Sequence, residues 1–191
     1  MNIKNNLKNL NFSHDLKIKY SIEEFFLLDM FNPINQKNYF DFYDLRIFKN
    51  KTFRTHVFGM GGSSLSSKLL GQFIDPISIN KKLFFYDNPS PRRINNSLSD
   101  LKIGKKDKFI FISKSGNTIE MKYFIHLVIK IFKHKKISNY HKNFIFITED
   151  KNNYMKNFAK KNNILCFDHD PNIGGRFSIF SITALLPLIS V

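Results

Sequence analysis

Short apolar runs alternate with longer amphipathic stretches over most of this chain, and this alternation constrains the fold more than any other feature. Stretches with helical spacing separate the apolar runs, which is the pattern of parallel α/β units joined by right-handed crossovers. We therefore predict an α/β fold, a three-layer sandwich in which helices flank a five-stranded parallel sheet. The predicted strands are Arg54–Phe58, Leu83–Asp87, Lys108–Ile112, Asn143–Thr148 and Ile164–Phe167.

The predicted helices differ in the clarity of their apolar faces. Leu65, Leu69 and Phe73 form one such face after the first strand, and Tyr154–Lys161 is a weaker candidate helix. The clearest helix is Thr118–Lys133, whose apolar face consists of Met121, Phe124, Ile125, Val128 and Phe132. Residues three and four apart share one side of a helix, so we expect these faces to pack in the core.

Three segments make up the predicted domain organisation. Residues 1–51 are expected to form a mostly helical segment, residues 52–170 the α/β domain, and residues 171–191 a loop and the start of a helix. The apolar run Ser178–Val191 contains Pro187 and is shorter than the roughly 20 residues of a membrane span, so it predicts a buried helix. This run stops in mid-pattern without a Gly or Asn cap, so we expect the chain to be truncated before a further domain.

Charge and cysteine content narrow the class of protein. The net charge is +15, but only five of the 30 basic residues are Arg, and the lysines are scattered rather than gathered in a stripe. We therefore expect no nucleic-acid partner, only a general attraction for anionic substrates. The single Cys166 excludes an internal disulfide, and no Cys/His cluster has metal-ligand spacing. A reducing cytoplasm fits best, and the N-terminus lacks the apolar stretch of a secretory signal.

The loop after the first predicted strand is rich in glycine. In Gly59-Met60-Gly61-Gly62-Ser63-Ser64 the glycines allow the backbone to pass close to a ligand, and Ser63 can cap the following helix. A plain tight turn is one alternative. A dinucleotide-binding loop is another, because Asp87 ends the second strand where a ribose-binding acid would stand, but that motif requires Gly at position 64.

The loop after the third predicted strand gathers groups that bind phosphate. It leads directly into the clearest helix, whose first N–H groups are free to bind an anion. Three hydroxyls, one ammonium and a turn-forming glycine lie within Ser113-Lys114-Ser115-Gly116-Asn117-Thr118, which predicts a phosphate-dianion site without a metal. The alternative is a Ser/Thr-rich helix cap whose Lys faces solvent.

The loop after the fifth predicted strand places a lone Arg beside two glycines. The segment Asp170–Ser178 contains Gly174 and Gly175 followed by Arg176, just before the apolar run. This arrangement indicates an Arg aimed into a pocket, where it could stabilise negative charge developing on a substrate oxygen. A structural Arg that caps a loop carbonyl is the alternative.

Together these loops resemble those of the glucose-6-phosphate isomerase family. The matching segments are GMGGSSL at Gly59–Leu65, ISKSGNT at Ile112–Thr118 and GGRFSIFS at Gly174–Ser181, and the resemblance covers about Thr52–Val191. It implies a sugar isomerase domain with no metal or nucleotide cofactor. The implied substrate-binding residues are Gly62, Ser63, Ser113, Lys114, Ser115, Gly116, Asn117, Thr118, Gly175 and Arg176.

The resemblance also implies roles for these residues. Ser113, Ser115 and Thr118, with Lys114 and backbone amides, would hold the 6-phosphate. Gly62 and Ser63 would contact the sugar. Gly175 and Arg176 would lie over the reacting C1 and C2 atoms, with Arg176 as the catalytic group that favours the enediolate. The implied reaction interconverts glucose 6-phosphate and fructose 6-phosphate in glycolysis and gluconeogenesis, by a homodimer whose active sites are completed across the interface.

The sequence departs from the family at two positions. Asn117 stands where Thr is more common, and Ser66 stands where Gly is usual. In addition, the family's base Glu, ring-opening His and second Lys lie beyond the GGR segment, and no residue here matches them. We do not assign Glu120, His126 or His169 to those roles, and we expect this chain alone to be inactive. A non-catalytic sugar-phosphate sensor stays an alternative, although the GGRFS segment favours an enzyme.

Overall fold

Five parallel strands form the centre of the molecule. The computed structural model describes residues 54–92, 94, 96, 103, 104 and 106–190. Each strand lies within two residues of its predicted bounds, and the sheet order is β2-β1-β3-β4-β5 with every pair parallel. The predicted α/β class and five-stranded parallel sheet are therefore confirmed. The strands are β1 Thr55–Gly59, β2 Leu83–Tyr86, β3 Lys108–Ile112, β4 Phe144–Glu149 and β5 Leu165–His169.

Helices connect the strands and cover both faces of the sheet. Two short 3-10 segments occur at Tyr140–Lys142 and Gly175–Phe180. The α-helices of the described residues include α1 Gly62–Ile74, α2 Pro76–Lys82, α3 Ile119–His134, α4 Tyr154–Asn162 and α5 Ile182–Ile189. The predicted segment at residues 1–51 lies outside the described residues, and the predicted domain boundaries stay predictions.

The two faces of the sheet bury different kinds of side chain. Successive residues of a strand point to opposite faces, and β3 alternates Phe with Ile accordingly. Phe109 and Phe111 pack with α3 and α4 on one face, whereas Ile110 and Ile112 pack with α5 on the other. On the aromatic face, Phe111 stacks on Phe58 of β1 with ring centroids 4.8 Å apart. Burial of both faces explains why these strands read as continuous apolar runs.

Helix α3 confirms its predicted apolar face. Met121, Phe124, Ile125, Val128 and Phe132 are all buried against the aromatic side of the sheet. The run after the GGR segment buries one side of its helix, since Ile182 and Leu186 of α5 pack on the aliphatic face, whereas Ile189 is 45% exposed. Within the described part of the chain, no helix is both long and apolar enough to cross a membrane.

The predicted core face of α1 is wrong. Leu65, Leu69 and Phe73 are 50%, 46% and 85% exposed, and the helix instead buries Ser64, Ser66, Ser67 and Gly71. The serines can be buried because their hydroxyls donate to backbone carbonyls, as in the 3.0 Å bond from Ser67 Oγ to the carbonyl of Thr183 in α5. Small hydrogen-bonded side chains thus allow α1 to pack closely against α5.

Candidate functional site

The two candidate ligand-binding loops lie side by side at the carboxyl ends of the strands. The chain leaves β1 toward β2 on one side and later returns to β3 on the other, so the strand order changes direction between β1 and β3. In open parallel sheets, ligands bind at the carboxyl ends of the strands at such a switch point. The loop after β1 and the loop after β3 both begin there.

A cavity of about 350 Å³ opens at this switch point. Its size lies at the lower end of the range for small-molecule sites, roughly 300–1,000 Å³. The lining combines polar groups of both loops with apolar side chains from β3 and α3. The lining residues are Met60, Ser63, Ile112, Ser113, Lys114, Ser115, Thr118, Met121 and Glu149.

The loop after β3 presents its hydroxyls at the start of α3. Ser113 Oγ lies 2.7 Å from Thr118 Oγ1, and the Gly116 N–H donates to Ser113 Oγ at 3.2 Å. Thr118 is the N-cap residue of α3, but its side chain makes no cap hydrogen bond. The cap side chain therefore accepts no hydrogen bond from the N–H groups of the first turn. These N–H groups and the loop hydroxyls are gathered at the same place, the N-terminus of α3.

Helix α4 holds this loop from the other side. Gly116 has a φ of +65°, and its carbonyl accepts a hydrogen bond from the Met155 N–H at 3.1 Å. A Cβ at Gly116 would collide with the Asn153 side chain and would lie 2.5 Å from Thr148 Oγ1. Asn117 Oδ1 accepts a 2.8 Å hydrogen bond from the Tyr154 N–H. The side chain of this predicted substrate-binding residue therefore lies at the start of α4.

Lys114 extends away from the hydroxyls of its own loop. Its Nζ donates to the carbonyls of Pro171 and Ile173 at 2.9 and 3.0 Å, and it lies 3.4 Å from Glu149 Oε1. The other carboxylate oxygen of Glu149 lies 2.7 Å from the Lys151 Nζ. These ammonium groups, with Lys151 the stronger influence, hold the pKa of the Glu149 carboxyl below its ordinary value even though burial opposes the charge.

The loop after β1 forms its turn through glycine. Gly61 has a φ of +56° and is the N-cap of α1, which begins at Gly62 without a side-chain cap. The prediction that Ser63 caps this helix is therefore wrong, because the helix starts two residues earlier than that role requires. Ser63 lines the cavity instead, and its hydroxyl makes no hydrogen bond to another described residue. Asp87, exposed after β2, is not among the cavity-lining residues.

The GGR segment lies directly against the start of α1. A Cβ on Gly62 would collide with the Gly175 carbonyl and would lie 3.0 Å from the Arg176 Cα. Arg176 itself is exposed, does not line the cavity, and has no hydrogen-bond or ion-pair partner among the described residues. The structural alternative, an Arg that caps a loop carbonyl, is therefore not what these residues show.

Sequence reasoning missed Glu149. This carboxylate is 6% exposed, lines the cavity, and is the last residue of β4. The signal that could have identified it is its position, because a charged residue at the carboxyl end of a buried parallel strand points to the ligand edge of the sheet. Neither His126 nor His169 lines the cavity: His126 bonds the Tyr154 hydroxyl at 2.9 Å, and His169, which is the register partner of Glu149 on β5, bonds the Asp170 carbonyl at 2.6 Å. Among the described residues, no His, Cys, Asp and Glu group could hold a metal ion.

Fold and cavity together define a doubly wound α/β domain with a hydroxyl-rich loop beside a cavity at its switch point. Residues 47–191 match the family model described as phosphoglucose isomerase, and the chain belongs to that family. Its first fifty residues lie almost entirely outside the matched range.

Individual proteins agree with this placement. The chain is 37% identical over 131 residues to the glucose-6-phosphate isomerase of Campylobacter jejuni. The alignment covers 68% of this chain and 32% of that protein. It is 31% identical over 178 residues to a probable glucose-6-phosphate isomerase of Methanococcus maripaludis. This alignment covers 91% of this chain and 39% of that protein. The chain thus spans 32% and 39% of the lengths of these two relatives.

A solved structure supports the fold. The crystal structure of a hypothetical protein from Thermus thermophilus superposes with a TM-score of 0.72 at 23% identity, covering 84% of this chain and 38% of that one. At this identity the likeness concerns the fold alone.

Proposed function

We propose that this chain is the sugar-phosphate-binding part of an enzyme that interconverts glucose 6-phosphate and fructose 6-phosphate. The observation that carries the proposal is the group of hydroxyls at the start of α3, on the wall of the switch-point cavity. Ser113, Ser115 and Thr118 line that cavity together, and Lys114 adds positive charge to its wall. Membership of the family supports the choice of substrate.

The binding step follows from the chemistry of the loop. A phosphate dianion accepts hydrogen bonds from the three hydroxyls and from the first N–H groups of α3, whose positive dipole end favours the negative charge. Charge-assisted hydrogen bonds contribute about 1.5 to 3 kcal/mol each, so three of them outweigh ordering costs to give micromolar to millimolar affinity. The sugar then extends toward Gly62 and Ser63.

Arg176 supplies the guanidinium that stabilises the charge formed during the reaction. Moving a proton between C1 and C2 passes through an enediolate, whose negative charge a nearby guanidinium stabilises. An exposed Arg without a partner among the described residues is free to take this role. The family's base Glu, which transfers the proton, has no counterpart in this sequence. The isomerisation is therefore proposed for the whole protein, together with its homodimeric assembly and cytoplasmic location.

Thermal stability of the chain against titrated fructose 6-phosphate tests the proposal. A ligand that binds only the folded state raises the melting temperature as its concentration exceeds the dissociation constant. We expect stabilisation by the sugar phosphate at concentrations where inorganic phosphate gives less and nicotinamide dinucleotide gives none. Stabilisation by the dinucleotide alone would overturn the proposal in favour of a nucleotide-binding loop. Isomerase activity of the whole protein separates an enzyme from a sensor.

A further inference from the structure

The Lys114 ammonium has three acceptors around it. They are the carbonyls of Pro171 and Ile173, at 2.9 and 3.0 Å, and Glu149 Oε1, at 3.4 Å. An ammonium carries three N–H donors and no acceptor, so these contacts use its full capacity. A phosphate oxygen could become a partner only if one of the three were given up.

These acceptors connect three separate parts of the site. Lys114 belongs to the loop after β3, Glu149 ends β4, and the two carbonyls belong to the loop that leads into Arg176. Glu149 is fixed, because β4 is paired on both sides and the side chain is 6% exposed. The carbonyls lie on a segment whose own bonds are local, such as the 3.2 Å bond from the Ile173 N–H to the Asp170 carbonyl.

We propose that Lys114 and Glu149 are a positioning pair that holds the Arg176 loop against the phosphate-binding loop. Glu149 anchors the ammonium to the sheet, and the ammonium holds the carbonyls three and five residues before Arg176 in the chain. The distance between the phosphate site and Arg176 is thereby fixed before any substrate arrives. The pair acts through Arg176, so its consequence for the reaction rests on the proposed function.

Hydrogen exchange on the ligand-free chain tests the positioning directly. Exchange at an amide reports the local opening of its segment. In Lys114→Met we expect the amides at 172–177 to exchange at least about ten-fold faster, with a smaller increase in Glu149→Gln, whose neutral amide still accepts a hydrogen bond. Lys151→Met is the matched control, because Lys151 contacts the same carboxylate but not the Arg176 loop. In this variant we expect the amides at 172–177 to exchange at the wild-type rate.

Two exchange results would overturn the positioning claim. One is an unchanged rate at 172–177 in Lys114→Met. The other is an equal increase in the amides of β3 and β4, since that would mean that the pair stabilises the whole domain rather than one loop.

Ligand affinities separate positioning from direct phosphate binding. Inorganic phosphate reports the hydroxyl loop, whereas 5-phosphoarabinonate, whose carboxylate imitates the charge of the enediolate, also reports the placement of Arg176. Lys114→Met also removes one positive charge from the cavity wall, so phosphate affinity falls to some extent; we expect affinity for the sugar acid to fall at least about five-fold more than affinity for phosphate. An equal fall for both ligands would show that Lys114 binds phosphate and would overturn the proposal. If wild type binds phosphate but not the sugar acid, the proposed function fails, while the exchange experiment still decides the positioning.

Discussion

Gly62 and Arg176 approach each other so closely that a methyl group on Gly62 would lie 3.0 Å from the Arg176 Cα. The same methyl group would collide with the Gly175 carbonyl. Gly62 is therefore small because the GGR segment occupies the space where a side chain would be. Two motifs 114 residues apart in the sequence thus meet through their backbones, and this contact brings the catalytic candidate to the end of the sheet where the proposed phosphate site lies.

The first prediction concerns this contact. Gly62→Ala should destabilise the folded chain by about 1 to 3 kcal/mol, because the backbone must shift to admit the methyl group. Affinity for fructose 6-phosphate should fall as well, since the shift displaces Arg176. Gly104→Ala is the control, because a Cβ there meets nothing within 4 Å. Urea denaturation and calorimetry measure the two effects, and equal stability of both variants would contradict the contact.

The second prediction concerns the phosphate donors. Ser115 and Thr118 are exposed, so replacing both with Ala should cost the ligand-free chain no more than about 1 kcal/mol, which is the loss of the hydrogen bond between Thr118 and Ser113. Loss of two charge-assisted hydrogen bonds, about 3 kcal/mol in total, should weaken phosphate and fructose 6-phosphate binding roughly a hundred-fold. Calorimetric titration measures this, and wild-type affinity in the double variant would show that the phosphate lies elsewhere.

Much of the fold could be predicted from the sequence because the strands are buried on both faces. A continuous apolar run such as Phe109–Ile112 has few alternatives to a central parallel strand when helical patterns flank it. The Ser-rich loop could be located for a similar reason, since the topology fixes which strand ends share an edge. These features depend on local pattern and on general rules of connection.

Other features depend on contacts that sequence alone does not specify. The face of α1 was predicted from its leucines, yet Ser67 is buried because Thr183, 116 residues away, offers a carbonyl to its hydroxyl. Lys114 was predicted to face phosphate, and its acceptors come from a loop 57 residues further along. Long-range partners of this kind decide the direction of a polar side chain, and periodicity contains no information about them.

The third prediction tests the exposed face of α1. Phe73→Ser should change the free energy of unfolding by less than about 0.5 kcal/mol, because the ring is 85% exposed and packs little surface. Phe124→Ala is the contrasting variant, and it should cost about 3 to 5 kcal/mol because its ring is fully buried. Chemical denaturation of both variants makes the comparison. A large loss in Phe73→Ser would show that this face is covered in the intact chain.

The fourth prediction arises from a histidine buried in the sheet. His56 lies between the rings of Phe84 and Phe109, with centroids 5.4 and 4.6 Å away, and its Nδ1 lies 3.1 Å from the Tyr86 hydroxyl. Its Nε2 has no hydrogen-bond partner among the described residues. Burial, with a smaller effect of Arg54, lowers the pKa of His56 from 6.5 to about 3. The folded chain therefore keeps this imidazole neutral in acid.

The unfolded chain behaves differently, and the difference sets the sign of the pH effect. Between pH 6.5 and about 3 the unfolded His56 binds a proton that the folded one does not, so stability falls as the pH is lowered through this window. The slope approaches about 1.4 kcal/mol per pH unit, which gives a loss of about 2 kcal/mol between pH 7 and pH 5. Well above pH 6.5 the residue contributes no pH dependence, since it is then neutral in both states.

Replacing His56 with Phe should remove this component. Phe fits the same aromatic stack, and although the Tyr86 hydroxyl loses its partner, that cost is the same at every pH within the window. Urea denaturation at pH 7 and pH 5 should therefore show a loss about 2 kcal/mol smaller in His56→Phe than in wild type. His134→Gln, at an exposed position on α3, should keep the wild-type dependence. If His56→Phe lost as much stability as wild type between these pH values, the imidazole would have to be accessible to protons in the folded sheet, and its burial against Phe109 would be wrong.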